Sequence, residues 1–158
     1  MKRNYLNLFL SFCLLMTGAT AFTSCSDDDN EITYLISLSE LPQDAQTFLA
    51  TYFPNENAAK VEKQSIGDII MYQVEMDNGF EIMFNSKGEW QEVDAPDGKT
   101  LPVGIAPEAI QNYVDTNYPD YGINEINKTG NGYNVELVSG PELEFNLLGE
   151  FVRVISDF

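Results

Sequence analysis

The sequence predicts an α+β fold: two tandem units, each a helix packed on one face of a roughly four-stranded antiparallel sheet. Three observations carry this. The body of the chain is written twice. Each copy opens with a proline-bounded stretch whose apolar residues recur at helical spacing. Each copy then switches to an alternation of period two, broken by Asn/Asp-Gly turn signals.

The repetition is read at a constant offset. Pro42, Gln46, Thr51 and Pro54 line up with Pro107, Gln111, Thr116 and Pro119, and Phe48 and Phe53 with Tyr113 and Tyr118. Val61 and Lys63 match Ile126 and Lys128 in the same frame. After a short gap, Tyr72-Gln73-Val74-Glu75-Met76 lies over Tyr133-Asn134-Val135-Glu136-Leu137. Gly79, Glu81, Phe84, Asn85, Gly88, Glu89 and Trp90 then lie over Gly140, Glu142, Phe145, Asn146, Gly149, Glu150 and Phe151. So many ordered matches with one gap mark an internal duplication.

In the first copy Leu41, Ala45, Phe48, Leu49, Tyr52 and Phe53 form one apolar helical face. Ile110, Tyr113, Val114 and Tyr118 repeat it. Pro42 suits a helix start, Asp44 and Glu108 favour the positive end of the helix dipole, and Pro54 and Pro119 stop the helices. The aromatic stripe is core packing, not a cofactor box. Next, Val61 sits in a first strand. Tyr72, Val74 and Met76 alternate with Gln73 and Glu75, and Asp77-Asn78-Gly79 reads as a hairpin turn. Ile82 and Phe84 alternate with Glu81 and Met83. Asn85-Ser86-Lys87-Gly88 is a second turn, and Glu89 to Val93 a fourth strand. The stretches Ile32, Tyr34, Ile36, Leu38 and Leu101, Val103, Ile105 allow an extra edge strand before each helix. Asp94-Ala95-Pro96-Asp97-Gly98 reads as the linker between units. In the last strand Val152 and Val154 compete with Phe151 and Ile155 for the inward face. Trp90 and Phe151 share one repeat position and read as core anchors.

One helix covers one sheet face, so the other face should be wet. Its residues are Gln73, Glu75, Glu81 and Met83 in the first copy, and Asn134, Glu136, Glu142 and Glu144 in the second. These are the candidate binding face.

The N-terminus reads as an address. Lys2 and Arg3 precede the apolar run Leu6 to Met16, and small residues lead to Cys25. The run is a signal peptide, too short for a membrane span. Cleavage before Cys25 would make it a lipidated anchor; ordinary cleavage after Ala21 is the alternative. Phe22 departs from the usual lipobox, but Ser26, Asp27, Asp28 and Asp29 look like the acidic export signal of surface lipoproteins of some Gram-negative bacteria. The segments are therefore a signal peptide at 1–24, an acidic tether with the edge stretch at 25–38, and repeats at 39–98 and 99–158. The lipid anchor is the expected membrane contact, on the outer membrane at the cell surface or on its periplasmic side. Cys13 leaves with the leader and Cys25 is used by lipid, so burial alone must hold the domain.

Composition narrows function further. The 158 residues carry 8 Lys+Arg against 25 Asp+Glu, a formal net charge of -17, with no histidine. Histidine-based triads and imidazole metal ligands are excluded, and the charge repels phosphate backbones, so no nucleic-acid partner is expected. The recurring pairs Glu75/Glu81 and Glu136/Glu142 could serve acid–base chemistry. Two equivalent copies on two flat sheets fit a solvated polar face better. The clusters Asp27-Asp28-Asp29 and Asp94 with Asp97 lack EF-hand spacing, so no metal site is assigned. No cofactor is expected.

The pattern Leu41-Pro42 to Pro54, Tyr72-x-Val74-Glu75 and Gly79-x-Glu81-x-x-Phe84-x-x-x-Gly88 resembles the PepSY-like repeats of small secreted bacterial proteins. Their fold is similar to the β-lactamase-inhibitor protein, and the resemblance covers nearly all of residues 39–158, in both copies. It implies a non-enzymatic binding module, inhibitor-like, using open sheet faces against an envelope protein or peptide. It supplies no catalytic motif, so no catalytic residue is assigned. The alternatives are an envelope hydrolase or glycan-acting enzyme using acidic residues, and an acidic ion or small-ligand binder.

Overall fold

A computed structural model describes residues 31–156. Nine strands form one antiparallel sheet in which spatial order equals sequence order. The strands are β1 (Glu31–Leu35), β2 (Ala58–Ile66), β3 (Ile69–Met76), β4 (Glu81–Asn85), β5 (Trp90–Asp94), β6 (Ile123–Thr129), β7 (Gly132–Leu137), β8 (Glu142–Asn146) and β9 (Phe151–Ser156). Helix α1 (Gln43–Tyr52) lies between β1 and β2, and α2 (Glu108–Asn117) between β5 and β6. The α+β class of the sequence reading holds. Its picture of one small sheet per copy does not: β5 pairs β6 through Glu92↔Asn127, Val93↔Ile126 and Asp94↔Glu125, and the sheet is continuous.

Each helix is ten residues long and has proline at its N-cap. The Pro42 and Pro107 carbonyls accept from the Gln46 and Gln111 amides. The prolines thus sit one position before the first helical residue, where a missing N–H costs nothing. Both helices end one residue before Phe53 or Tyr118, whose amides close the last turn on Leu49 and Val114. Pro54 and Pro119 follow and cannot continue it.

The helices cover the same sheet face. Its central row runs in register as Val61, Val74, Ile82, Val93, Ile126, Val135, Leu143 and Val154. All but Val154 are buried, with Ala45 and Leu49 from α1 and Ile110 and Val114 from α2 packed in the same core. Phe84 and Phe145 are fully buried and meet Phe48 and Tyr113 edge to face, with ring centroids 5.5 Å and 5.4 Å apart. Trp90 and Phe151 pack on this side too. Phe151 stacks on Tyr113 at 4.7 Å, while Trp90 has Lys128 Nζ 3.9 Å above its ring.

Equivalent turns carry equivalent bonds. Asn85 Oδ1 accepts from the Lys87 and Glu89 amides at 2.9 and 3.1 Å; Asn146 Oδ1 accepts from Leu148 and Glu150 at 2.9 and 3.0 Å. Gly88 and Gly149 close these turns with φ of 88° and 76°. A Cβ on Gly88 would lie 2.7 Å from the Ala45 amide nitrogen, and one on Gly149 2.9 Å from Ala109 Cβ. Only glycine lets the turn seat against the helix start.

The two pre-helix stretches differ. Residues 31–35 form an edge strand on β2, whereas Leu101, Val103 and Ile105 form none: Leu101 and Ile105 are buried and Val103 is exposed. The reason is occupancy. The outer edge of β6, where a second such strand would pair, is already taken by β5.

Candidate functional site

Strand alternation sets the face away from the helices. A residue directly opposite another in an antiparallel pair shares its face. Glu75 is opposite Glu81, Glu81 opposite Asp94, Asp94 opposite Glu125, Glu125 opposite Glu136, and Glu136 opposite Glu142. Six carboxylates from six consecutive strands thus stand in one row, at about 4.8 Å per strand. Lys60 ends the row on one side and Ser156 on the other. A parallel row holds Glu62, Gln73, Met83, Glu92, Asn127, Asn134, Glu144 and Arg153.

All eight residues of the sequence-derived face lie here: Gln73 opposite Met83, Asn134 opposite Glu144, and the two glutamate pairs opposite each other. All are half-buried. The face is drier than the wet surface expected, because neighbouring strands on both sides crowd each side chain. Gln73 Nε2 donates to Glu81 Oε2 at 3.3 Å, and Gln64 Nε2 donates to Gln73 Oε1 at 3.0 Å. Lys60 is drawn to Glu62 at 2.9 Å, and Arg153 to Glu144.

Sequence reasoning missed the middle of the row. Asp94 reads as linker but ends β5, and Glu92 and Glu125 were not placed on the face. Glu125 was findable: it precedes Ile126, which matches core residue Val61, so it must point the other way. It is the most buried carboxylate of the face, at 8% exposure. A bulge at Asn124 recurs where Ala59 bulges from β2. The Asn124 side chain donates to the carbonyls of Ala95 and Lys99 at 3.0 and 2.9 Å, and its own carbonyl accepts from the Ala95 amide at 3.0 Å. These bonds pin the chain leaving β5 against β6.

Burial and crowding act together on the acids. Desolvation, then the charges of Glu92, Asp94, Glu136 and Glu142, pushes Glu125 up to about 9. Desolvation, then Glu81, Glu92, Glu136 and Asp97, pushes Asp94 up to about 7. Glu92 is raised by burial and by Glu81, and Glu81 by burial and by Glu75. Asp94 and Glu125, at the centre of the row, therefore hold their protons far more tightly than ordinary carboxyl groups.

The acids form a line and not a nest. Among the described residues no three acidic, histidine or cysteine side chains converge to hold a metal ion. Cys25 and the export residues Ser26 to Asp29 lie outside the described residues. No described helix is long and apolar enough to cross a membrane.

Comparison with known proteins adds the following. The family described as "putative beta-lactamase-inhibitor-like, PepSY-like" matches twice, over residues 29–82 and 70–153. A "putative calcium-regulated periplasmic protein" of Bacteroides thetaiotaomicron is 34% identical, with a TM-score of 0.74, over 78% of this chain and 97% of its own. A "putative periplasmic protein" of the DUF2874 family from Bacteroides vulgatus is 32% identical, with a TM-score of 0.75, over 82% of this chain and 100% of its own. A further periplasmic protein of unknown function from B. vulgatus is 27% identical, with a TM-score of 0.73, over 80% of this chain and 100% of its own. The curated proteins contain no match.

Proposed function

Since the chain belongs to the PepSY-like, β-lactamase-inhibitor-like family, we propose that it is a non-enzymatic binding module of the cell envelope. Two tandem helix-on-sheet units grip a protein or peptide partner across their shared open face. The observation that carries this is the row Glu75, Glu81, Asp94, Glu125, Glu136, Glu142, drawn from both copies into one line. A flat face with a line of acids fits a partner that presents several lysines or arginines side by side. It fits catalysis poorly. An acid–base pair needs two carboxyl groups with opposed roles around one substrate, and this face repeats equivalent groups strand after strand. The anchor is Cys25, exported by Ser26 to Asp29 to the outer membrane, at the surface or facing the periplasm.

The test is charge reversal. Glu75→Lys with Glu142→Lys, at the two ends of the row, should abolish crosslinking of an envelope partner on intact cells, read by mass spectrometry. Unchanged recovery would remove the open face from the reading. Cys25→Ala should release the protein from the membrane fraction.

The calcium-regulated neighbour favours one second reading, cation binding by the same face. Calcium titration calorimetry separates the two. Saturable heat that Glu125→Gln removes supports the ion; no heat leaves the protein partner.

A further inference from the structure

The two copies place β5 and β9 in the same seat. Phe84, Met83 and Ile82 face Trp90, Glu92 and Val93; Phe145, Glu144 and Leu143 face Phe151, Arg153 and Val154. The bulge that leaves Gln91 without a partner recurs at Val152. The far edge of β5 is then covered by β6, whereas the far edge of β9 is covered by no described strand.

In β9 and in the turn that leads into it, the side chains change in the direction opposite to protection. Ser86, Lys87 and Gln91 of the first copy correspond to Leu147, Leu148 and Val152, which are 67%, 76% and 51% exposed. Val154 and Ile155, farther along β9, are exposed too. Unpaired edges are normally guarded by charge or proline, because a free row of N–H and C=O groups invites another strand. Here Arg153 is the sole charge in the strand, and Glu144 engages it. Among the described residues the bulges are the one protective device at this edge.

The charge pattern selects the guest. Every strand from β1 to β8 carries at least one glutamate; β9, Phe-Val-Arg-Val-Ile-Ser, carries no carboxylate. Two copies of a chain at net charge -17 repel each other over most of their surfaces. At β9 two such sheets can approach with no carboxylate in either pairing strand, whereas the other edge strand, β1, carries Glu31. We propose that β9 is a self-association edge: two copies pair their β9 strands antiparallel about a two-fold axis and so cover Val152, Val154 and Ile155. Centring the pair on Val154 sets Arg153 against Ile155 of the second copy and keeps the two arginines from facing each other. A two-fold contact of this kind closes on itself, whereas β9 pairing with β1 of the next copy would polymerise.

Sedimentation equilibrium of the exported Cys25→Ala chain tests this. The expected result is a dimer that Val152→Lys with Ile155→Lys weakens at least about tenfold, with unchanged circular dichroism. A cysteine at position 154 should crosslink the wild-type-like dimer in an oxidant, and one at position 34 in β1 should not. A strict monomer at about 100 μM, well above an ordinary micromolar constant, would overturn the proposal. So would a ladder of higher oligomers, or a dimer that crosslinks through position 34. If the double variant misfolds, the position-154 crosslink decides alone. None of these results depends on the basic partner, so failure here leaves the open-face reading standing.

Discussion

The two faces of the sheet are one residue apart along every central strand. Val74 neighbours Glu75, Ile82 neighbours Glu81, Val93 neighbours Asp94, Ile126 neighbours Glu125, Val135 neighbours Glu136 and Leu143 neighbours Glu142. One set forms an unbroken apolar row under the helices; the other forms an unbroken acidic row with no described helix above it. The apolar row is where folding free energy is gained, at roughly 25 cal/mol per Å² buried. Like charges directly opposite each other on a sheet are destabilising, so the acidic row costs stability. A face that works against the fold at six successive positions is consistent with the binding role proposed for it.

Substitutions should therefore have opposite signs on the two faces. Phe145→Ala leaves a cavity under α2 and should cost about 3–5 kcal/mol, read as a lowered urea midpoint. Glu125→Gln should instead stabilise by about 1–3 kcal/mol at a pH of about 8.5, since folding no longer has to place a proton on a carboxylate that is ionised in the unfolded chain. The pH dependence carries its own sign. Glu125 and Asp94 hold protons more tightly folded than unfolded, so they favour the native state fully below the ordinary carboxylate range near pH 4. That advantage is lost as pH rises through about 7 for Asp94 and about 9 for Glu125. Thermal midpoints should thus fall between pH 5 and pH 9, and Glu125→Gln should flatten the fall. A midpoint that climbs over this window would break the contrast between the faces. Lys128→Met on the helix side removes the cation above Trp90 and should cost about 0.5–1 kcal/mol. Arg153→Ala, whose ion pair is exposed, should change stability by less than about 0.5 kcal/mol in a thermal melt.

Much of this arrangement was legible in the sequence, for definite reasons. The proline-bounded helices, the turn glycines and the alternation are local signals, and they placed the core row and the eight face residues. What could not be read is which strand edges meet. Nothing in Trp90 to Asp94 or Ile123 to Thr129 announces that they pair, because β5 and β6 are separated by α2 and two loops. Once they pair, Asp94 moves from a linker onto the sheet and two short acidic sets become one row. The last strand was ambiguous because bulges at Val152 and Ile155 interrupt its alternation, so neither parity holds along its length.

Strand order also bears on how the protein is made. Each strand neighbours the one synthesised just before it, and most connections are tight turns. A chain emerging from its N-terminus can zip up in reading order, with little loop-closure entropy at each step. The exceptions are the crossings from β1 to β2 and from β5 to β6, where the growing sheet must wait for α1 or α2 and its flanking loops to emerge, and the crossing from β5 to β6 is the longer. Hydrogen exchange during refolding should show that junction locking last.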